Sequence, residues 1–195
     1  MTPASPGGNA FRRPRVSSTE LLRQVASRFC PPYEVERDKA GELRIILRDQ
    51  TGRRPNISVS HRYVRKLFFR ANYTHVGSTV PGSGPAVTGQ IAFRFRGPIA
   101  RQRSSLRWSS HVPDGERWLA LLRDPLLRAV GSIEGIEELT IGWSPERESW
   151  RLELKTLSGS MVSGITAFLP IAVPFDRKEA EGVIAMVDAL AATRA

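Results

Sequence analysis

Three histidines, one cysteine, a few paired acids and a long run of arginines are the residues of this 195-residue chain with chemistry to offer. The histidines stand at His61, His75 and His111, too far apart for a His-x-x-x-His pair, and no cysteine pair supplements them, so no metal is expected. Cys30 is the only cysteine, which excludes an internal disulfide and fits a reducing compartment. It has no partnered histidine in a recognisable context and is read as a small structural residue. Glu137-Glu138 would point to opposite faces of a strand, and Glu146 and Glu148 fall in a turn, so neither pair composes one acid–base site. Gly82-Ser83-Gly84 to Gly89 lacks the Gly-Lys-Ser/Thr of a phosphate loop, is broken by Pro85 and leads into a strand. No Gly-x-Ser-x-Gly elbow is present. No catalytic residue and no cofactor is therefore nominated.

The arginines carry more. From Gln50 to Pro113 there is no Asp or Glu, yet the window holds ten arginines and Lys66. Arg62, Arg65, Lys66, Arg70, Arg94, Arg96, Arg101, Arg103 and Arg107 are the candidate anion-binding residues. A guanidinium offers a planar fork of donors that matches phosphate or carboxylate. Residues 1–110 carry 18 Arg and 2 Lys against 6 acids, whereas residues 111–195 carry 7 Arg and 2 Lys against 13 acids. Twenty-five arginines against four lysines, in a chain rich in Ala, Gly and Pro, is what GC-rich codon usage gives without selection. The missing acids are the stronger evidence, since Asp and Glu codons remain available.

The elements that must position these residues follow from spacing. Residues 1–16, with Arg12-Arg13-Pro14-Arg15, read as a disordered basic lead. No apolar segment follows the paired arginines, so an export signal is rejected. Residues 17–195 read as a single domain, with a basic part over 17–110 and an acidic part over 111–195. Ser17 and Glu20 predict a capping box ahead of Leu21, Leu22, Val25, Ala26 and Phe29, with Pro31-Pro32 closing the helix. Leu43 to Arg48 predicts a strand. Ile57 and Val59 alternate as in a short strand; from Ser60 onward Tyr63, Val64, Leu67, Phe68 and Ala71 predict a helix, and one long strand is the competing reading. That helix would show Arg62, Arg65, Lys66 and Arg70 on its other face. Residues 76–90 predict a mobile Gly/Pro/Ser loop, followed by a strand at Ile91 to Phe95 with Arg94 and Arg96 outward. A second loop runs from Gly97 to Pro113.

Asp114 predicts a helix start, with Asp124-Pro125 restarting or kinking it and Gly131 ending it. Leu139-Ile141-Trp143 and Trp150-Leu152-Leu154 predict a hairpin with the two tryptophans facing each other. A third strand near Met161 to Leu169 completes a meander. Asp176 and Glu179 cap a last helix. Thr156 to Phe175 is uncharged but too polar and too broken by Gly and Pro to cross a membrane; a buried strand is expected.

The expected fold is α+β, a mainly antiparallel sheet covered by helices in the order α-β-β-α-β-α-β-β-β-α, with a C-terminal meander before the terminal helix. The leading expectation is a soluble, cytoplasmic, non-enzymatic protein that binds a polyanion, nucleic acid, through an arginine-rich surface on which Tyr73, Phe69 and Trp108 stack bases. The alternatives are an interaction module that meets an acidic protein or a second copy of itself as a homo-oligomer, and an enzyme on a small anionic substrate. The last requires a pocket converging on His61 or His75 with two arginines. No membrane insertion is expected.

Overall fold

The computed structural model describes residues 17–65, 69–94, 105–164 and 171–194. The basic lead over 1–16 lies outside them. Three α-helices and a nine-stranded antiparallel sheet make up the described chain, an α+β architecture. The elements are α1 (Ser18–Ser27), β1 (Tyr33–Lys39), β2 (Arg44–Asp49), β3 (Ile57–Arg65), β4 (Phe69–Pro81), β5 (Gly89–Arg94), β6 (Ser105–Trp108), α2 (Gly115–Val130), β7 (Ile136–Ser144), β8 (Ser149–Gly164), β9 (Ile171–Ala172) and α3 (Arg177–Ala191). The sheet order is β1-β2-β3-β4-β8-β7-β5-β6, with β9 on the far end of β8.

Caps fix the first and last helices. Ser17 Oγ accepts from the Glu20 amide at 3.1 Å, and Asp176 and Glu179 complete a reciprocal capping box. Asp114 precedes α2 as expected, but with φ +55° its side chain makes no cap. Pro125 sits inside α2, which runs through it to Gly131.

Alternation divides the strands into two faces. Ile45 and Leu47, Ile57 and Val59, Val76 and Val80, Leu152 and Leu154, and Ile141 and Trp143 are all buried. Residues of all three helices join them in one core cluster, including Leu22, Val25, Leu122, Leu126, Val183 and Val187. One end of this core holds three indoles. Trp143 and Trp150 pair directly across β7 and β8, as their spacing predicts, with ring centroids 5.0 Å apart, and Trp108 stacks on Trp150 at 6.3 Å.

Several expectations need correction. The helix over 60–71 does not form: β3 runs through Arg65, β4 begins at Phe69, and the two pair from Ile57↔Ser78 to Arg65↔Arg70. Leu67 and Phe68 lie outside the described residues. The 76–90 loop shrinks to 82–88, because Val76 to Pro81 pair with β8. What remains is pinned by indole N–H groups: Trp143 Nε1 donates to the Pro85 carbonyl at 2.7 Å and Trp150 Nε1 to that of Ser83 at 3.1 Å. Within the expected second loop, Ser105–Trp108 is a strand paired with β5. Met161 to Gly164 are not a separate strand but the end of β8, beside the short β9. Thr156, Ser158 and Ser160 are buried and hydrogen-bonded, which accounts for an uncharged stretch that is nonetheless polar.

Candidate functional site

The face of the sheet away from the core cluster carries the polar residues, and register places them in transverse rows. Arg44, Ser60, His75, Lys155 and Glu138 are successive cross-strand partners on β2, β3, β4, β8 and β7. The next row is Ile46, Ser58, Gly77, Glu153, Thr140, Ala92 and Arg107, ending on β6. A third holds Thr79, Arg151, Gly142 and Gln90. On the other side of the first row, Arg62 pairs with Tyr73.

These rows form a groove of about 610 Å³ with a floor of Ser58, Ser60 and Gly77. Arg44, Arg62, His75, Lys155 and Arg151 stand around it, with Glu42, Glu138 and Glu153. A second hollow of about 400 Å³, reaching Gln90, Ser109 and Ser110, shares Thr140, Arg151 and Glu153 with the first. Among the described residues, none of α1, α2 or α3 lines either hollow. At about 4.8 Å per strand, the path from β2 to β5 is about 24 Å long.

Charge is unevenly satisfied along it. Arg151 pairs with Glu153 at 2.5 Å, and Glu42 with Lys39 at 3.1 Å. Lys155 Nζ lies 4.4 Å from the centroid of the Tyr73 ring, a cation–π contact that covers this buried tyrosine. Arg44 and Arg62 have no carboxylate within ion-pair distance among the described residues. Burial holds the His75 pKa below its ordinary value, helped by Arg62 and Lys155 and opposed by Glu138 and Glu153. His75 is thus neutral at pH 7 in the free protein, with cations on two sides.

The sequence-predicted residues divide. Arg62 stands in the groove, and Arg107 stands at the exposed β6 end of the second row. Arg65 and Arg70 face each other across β3 and β4, exposed, on the opposite side of the sheet from Arg62. They share that side with Asn72, whose amide donates to Ser18 at the start of α1. The four-residue basic face expected of a helix is therefore split, since neighbours in a strand alternate. Arg94 lies in β5 opposite Ser105. Lys66, Arg96, Arg101 and Arg103 lie outside the described residues.

Of the expected stacking aromatics, Tyr73 is buried beneath Lys155 and Trp108 is engaged in the core, its Nε1 donating to the Gly115 carbonyl at 2.7 Å. Arg44, Arg151 and Lys155 were missed, and His75 was named only for the small-substrate alternative. Arg44, Arg151 and Lys155 were legible as outward positions of strands, but only the pairing of β4 with β8 brings them to Arg62.

The other reactive groups have structural work. His61 is buried on the core side, its Nε2 3.0 Å from the Gly159 carbonyl; burial lowers its pKa against the pull of the Gly159 and Ser18 backbone groups. Cys30 closes α1, its thiol raised by burial, with Arg177 opposing. Arg177 donates to the carbonyls of Arg28, Cys30 and Pro31 at 3.0, 2.9 and 2.6 Å. Among the described residues no group of three His, Cys, Asp or Glu side chains could hold a metal, and no helix is long and apolar enough to cross a membrane.

Compared with protein-family models, characterised proteins and solved structures, the chain gives no match.

Proposed function

We propose that the chain binds a phosphate-bearing polyanion, nucleic acid, along the groove on the open face of its sheet. The observation that carries this reading is the meeting of Arg44, Arg62, Lys155 and His75 in one groove, with both arginines lacking a carboxylate partner among the described residues. The small floor of Ser58, Ser60 and Gly77 lets a ligand approach the backbone, and the path of about 24 Å from β2 to β5 through both hollows suits a short single-stranded segment. With Tyr73 and Trp108 engaged elsewhere, recognition falls on phosphates and sugars, and little sequence preference is expected.

Fluorescence anisotropy with a labelled single-stranded 12-mer tests it. Three phosphates neutralised give a slope of log affinity against log salt of about −2. Arg62→Ala combined with Lys155→Ala weakens binding by about tenfold or more, whereas Arg65→Ala with Arg70→Ala leaves most of it. No binding at low salt, or binding indifferent to salt, overturns the proposal.

One observation favours a second reading, an enzyme on a small anionic substrate: His75, neutral at pH 7, stands in the groove with two arginines. Under that reading His75→Gln abolishes turnover of a phosphoester panel while leaving ligand affinity within a few-fold.

A further inference from the structure

Resting on the polyanion reading of the same groove, we infer that its β2–β4 end is a subsite for a phosphomonoester, the terminal phosphate of a nucleotide strand. Cations there are concentrated rather than spaced. Ser60 has Arg44 directly opposite on β2 and His75 directly opposite on β4; Arg62 follows two residues on, and Lys155 lies one strand beyond His75. The Ser60 hydroxyl and the Arg44 and Arg62 side chains make no hydrogen bond to another described residue, so their donors are open to a ligand. The β8–β7 end differs: Arg151 is taken by Glu153, and Glu138 stands opposite Lys155.

A run of phosphodiesters carries one charge at each step and is matched by evenly spaced cations. This groove instead has its unpaired cations at one end, where the single carboxylate, Glu42, is paired with Lys39, and Glu138 and Glu153 toward the other. A phosphomonoester carries −1.5 to −2 charge at pH 7 and three strong acceptor oxygens, which suits the Arg44, Arg62, Ser60 and His75 end. The sugar and base that follow it bring hydroxyl and amino donors, which suit Glu153 and Glu138. Ser58 and Gly77 keep the floor between them low: the Ser58 hydroxyl is turned onto the Gly77 carbonyl at 3.1 Å, and a Cβ on Gly77 would crowd it at 3.2 Å.

The test compares the full chain's affinity for a single-stranded 12-mer with a 5′-phosphate, the same 12-mer with a 3′-phosphate, the 12-mer with both ends hydroxyl, and a 5′-nucleoside monophosphate as competitor. A preference of about tenfold for one phosphorylated end over the hydroxyl-ended strand is expected. It should vanish in Arg44→Ala and in Arg62→Ala while persisting in Arg65→Ala, which lies on the other face. Displacement by the mononucleotide supports the same chemistry drawn from a free nucleotide. Equal affinity for all three strands overturns the subsite and leaves the polyanion reading standing. If none of the strands binds at low salt, the reading on which the subsite rests falls with it. Circular dichroism of each variant shows that any loss is of binding rather than of fold.

Discussion

On the core side of the sheet Arg54 is gripped by Asp188 at 2.6 and 3.0 Å and lies 3.7 Å from the buried Asp49, whereas on the open side Arg44 and Arg62 meet no described carboxylate. Both sets come from the arginine-rich half of the chain. Asp49 shows how the core side settles its charge, through hydrogen bonds gathered on Oδ2, while the buried Oδ1 has only the Arg54 guanidinium 3.7 Å away. Burial would raise its pKa, but hydrogen bonds from the Thr51 hydroxyl and the Arg54 and Arg53 amides, with the Arg54 guanidinium, hold it below the ordinary carboxylate value. Charge there locks the β2–β3 turn to α3. The same residue type is thus paired or left without a described carboxylate according to which side of the sheet its position selects, and substitutions can test whether the two sides differ in role.

The largest separation is expected at glycines. Gly159 has φ +74°, and a Cβ there would lie 2.4 Å from Val25 Cγ2 and 2.9 Å from Thr74 Oγ1. Gly159→Val should cost about 3–5 kcal/mol in urea unfolding, or prevent folding, through left-handed strain and overpacking. Gly142 lies on the open side with nothing nearer than 4.0 Å, and Gly142→Ala should stay within about 0.5 kcal/mol. Comparable losses for the two would break the comparison.

Arginines come next. Arg54→Ala leaves Asp49 buried without its cation and should lower unfolding free energy by about 2 kcal/mol. Arg62→Ala should change stability by less than about 0.5 kcal/mol while weakening anion binding. An Arg62→Ala variant as unstable as Arg54→Ala would show that the open-face arginine is structural after all.

The histidines offer the smallest and sharpest contrast. His61, lowered by burial, takes a proton more readily unfolded than folded, so its contribution to stability is present at neutral pH and lost as pH falls below about 6.5. His61→Gln should flatten the stability profile between pH 7 and 5. His75 is also lowered, but it faces Arg44, Arg62, Lys155, Glu138 and Glu153 across the groove. A bound anion favours its charged form, so affinity for a hydroxyl-ended oligonucleotide should tighten as pH falls from 7 toward 5. His75→Gln should remove most of that dependence while moving the stability profile less than His61→Gln does. A titration of binding governed by His61 instead would assign the chemistry to the wrong face.

How much of this was legible in the residues depended on the range of the interactions. The caps at Ser17 and Asp176 and the Trp143–Trp150 pairing are local and could be read directly. Residues 60–71 misled because Tyr63, Val64, Leu67, Phe68 and Ala71 happen to match a helical period. Pairing of 57–60 with β2 and of 57–65 with β4 overrides that period, and β-branched and aromatic residues such as Val59, Tyr63 and Tyr73 suit a strand. Gly77 and Pro81 disguised the end of β4 as loop, though Val76 and Val80 alternate into the core. For the site, the absence of acids located Arg62 but not its neighbours. Lys155 reaches His75 only through the β4–β8 ladder, which joins the two halves of the chain and has no local signature.

That ladder also governs the order in which the molecule can assemble. The strands β1 to β4 pair with their sequence neighbours and can form as soon as that part of the chain exists, whereas the free edge of β4, thirteen residues long, must wait for Ser149–Gly164. Until then it presents unpaired amides and carbonyls to any other strand it meets. Closing so long a loop costs chain entropy before the pairing repays it, and this seam is the least local pairing among the described strands. During synthesis, half of the groove stands ready on β2 to β4 well before the strands that complete it have been made.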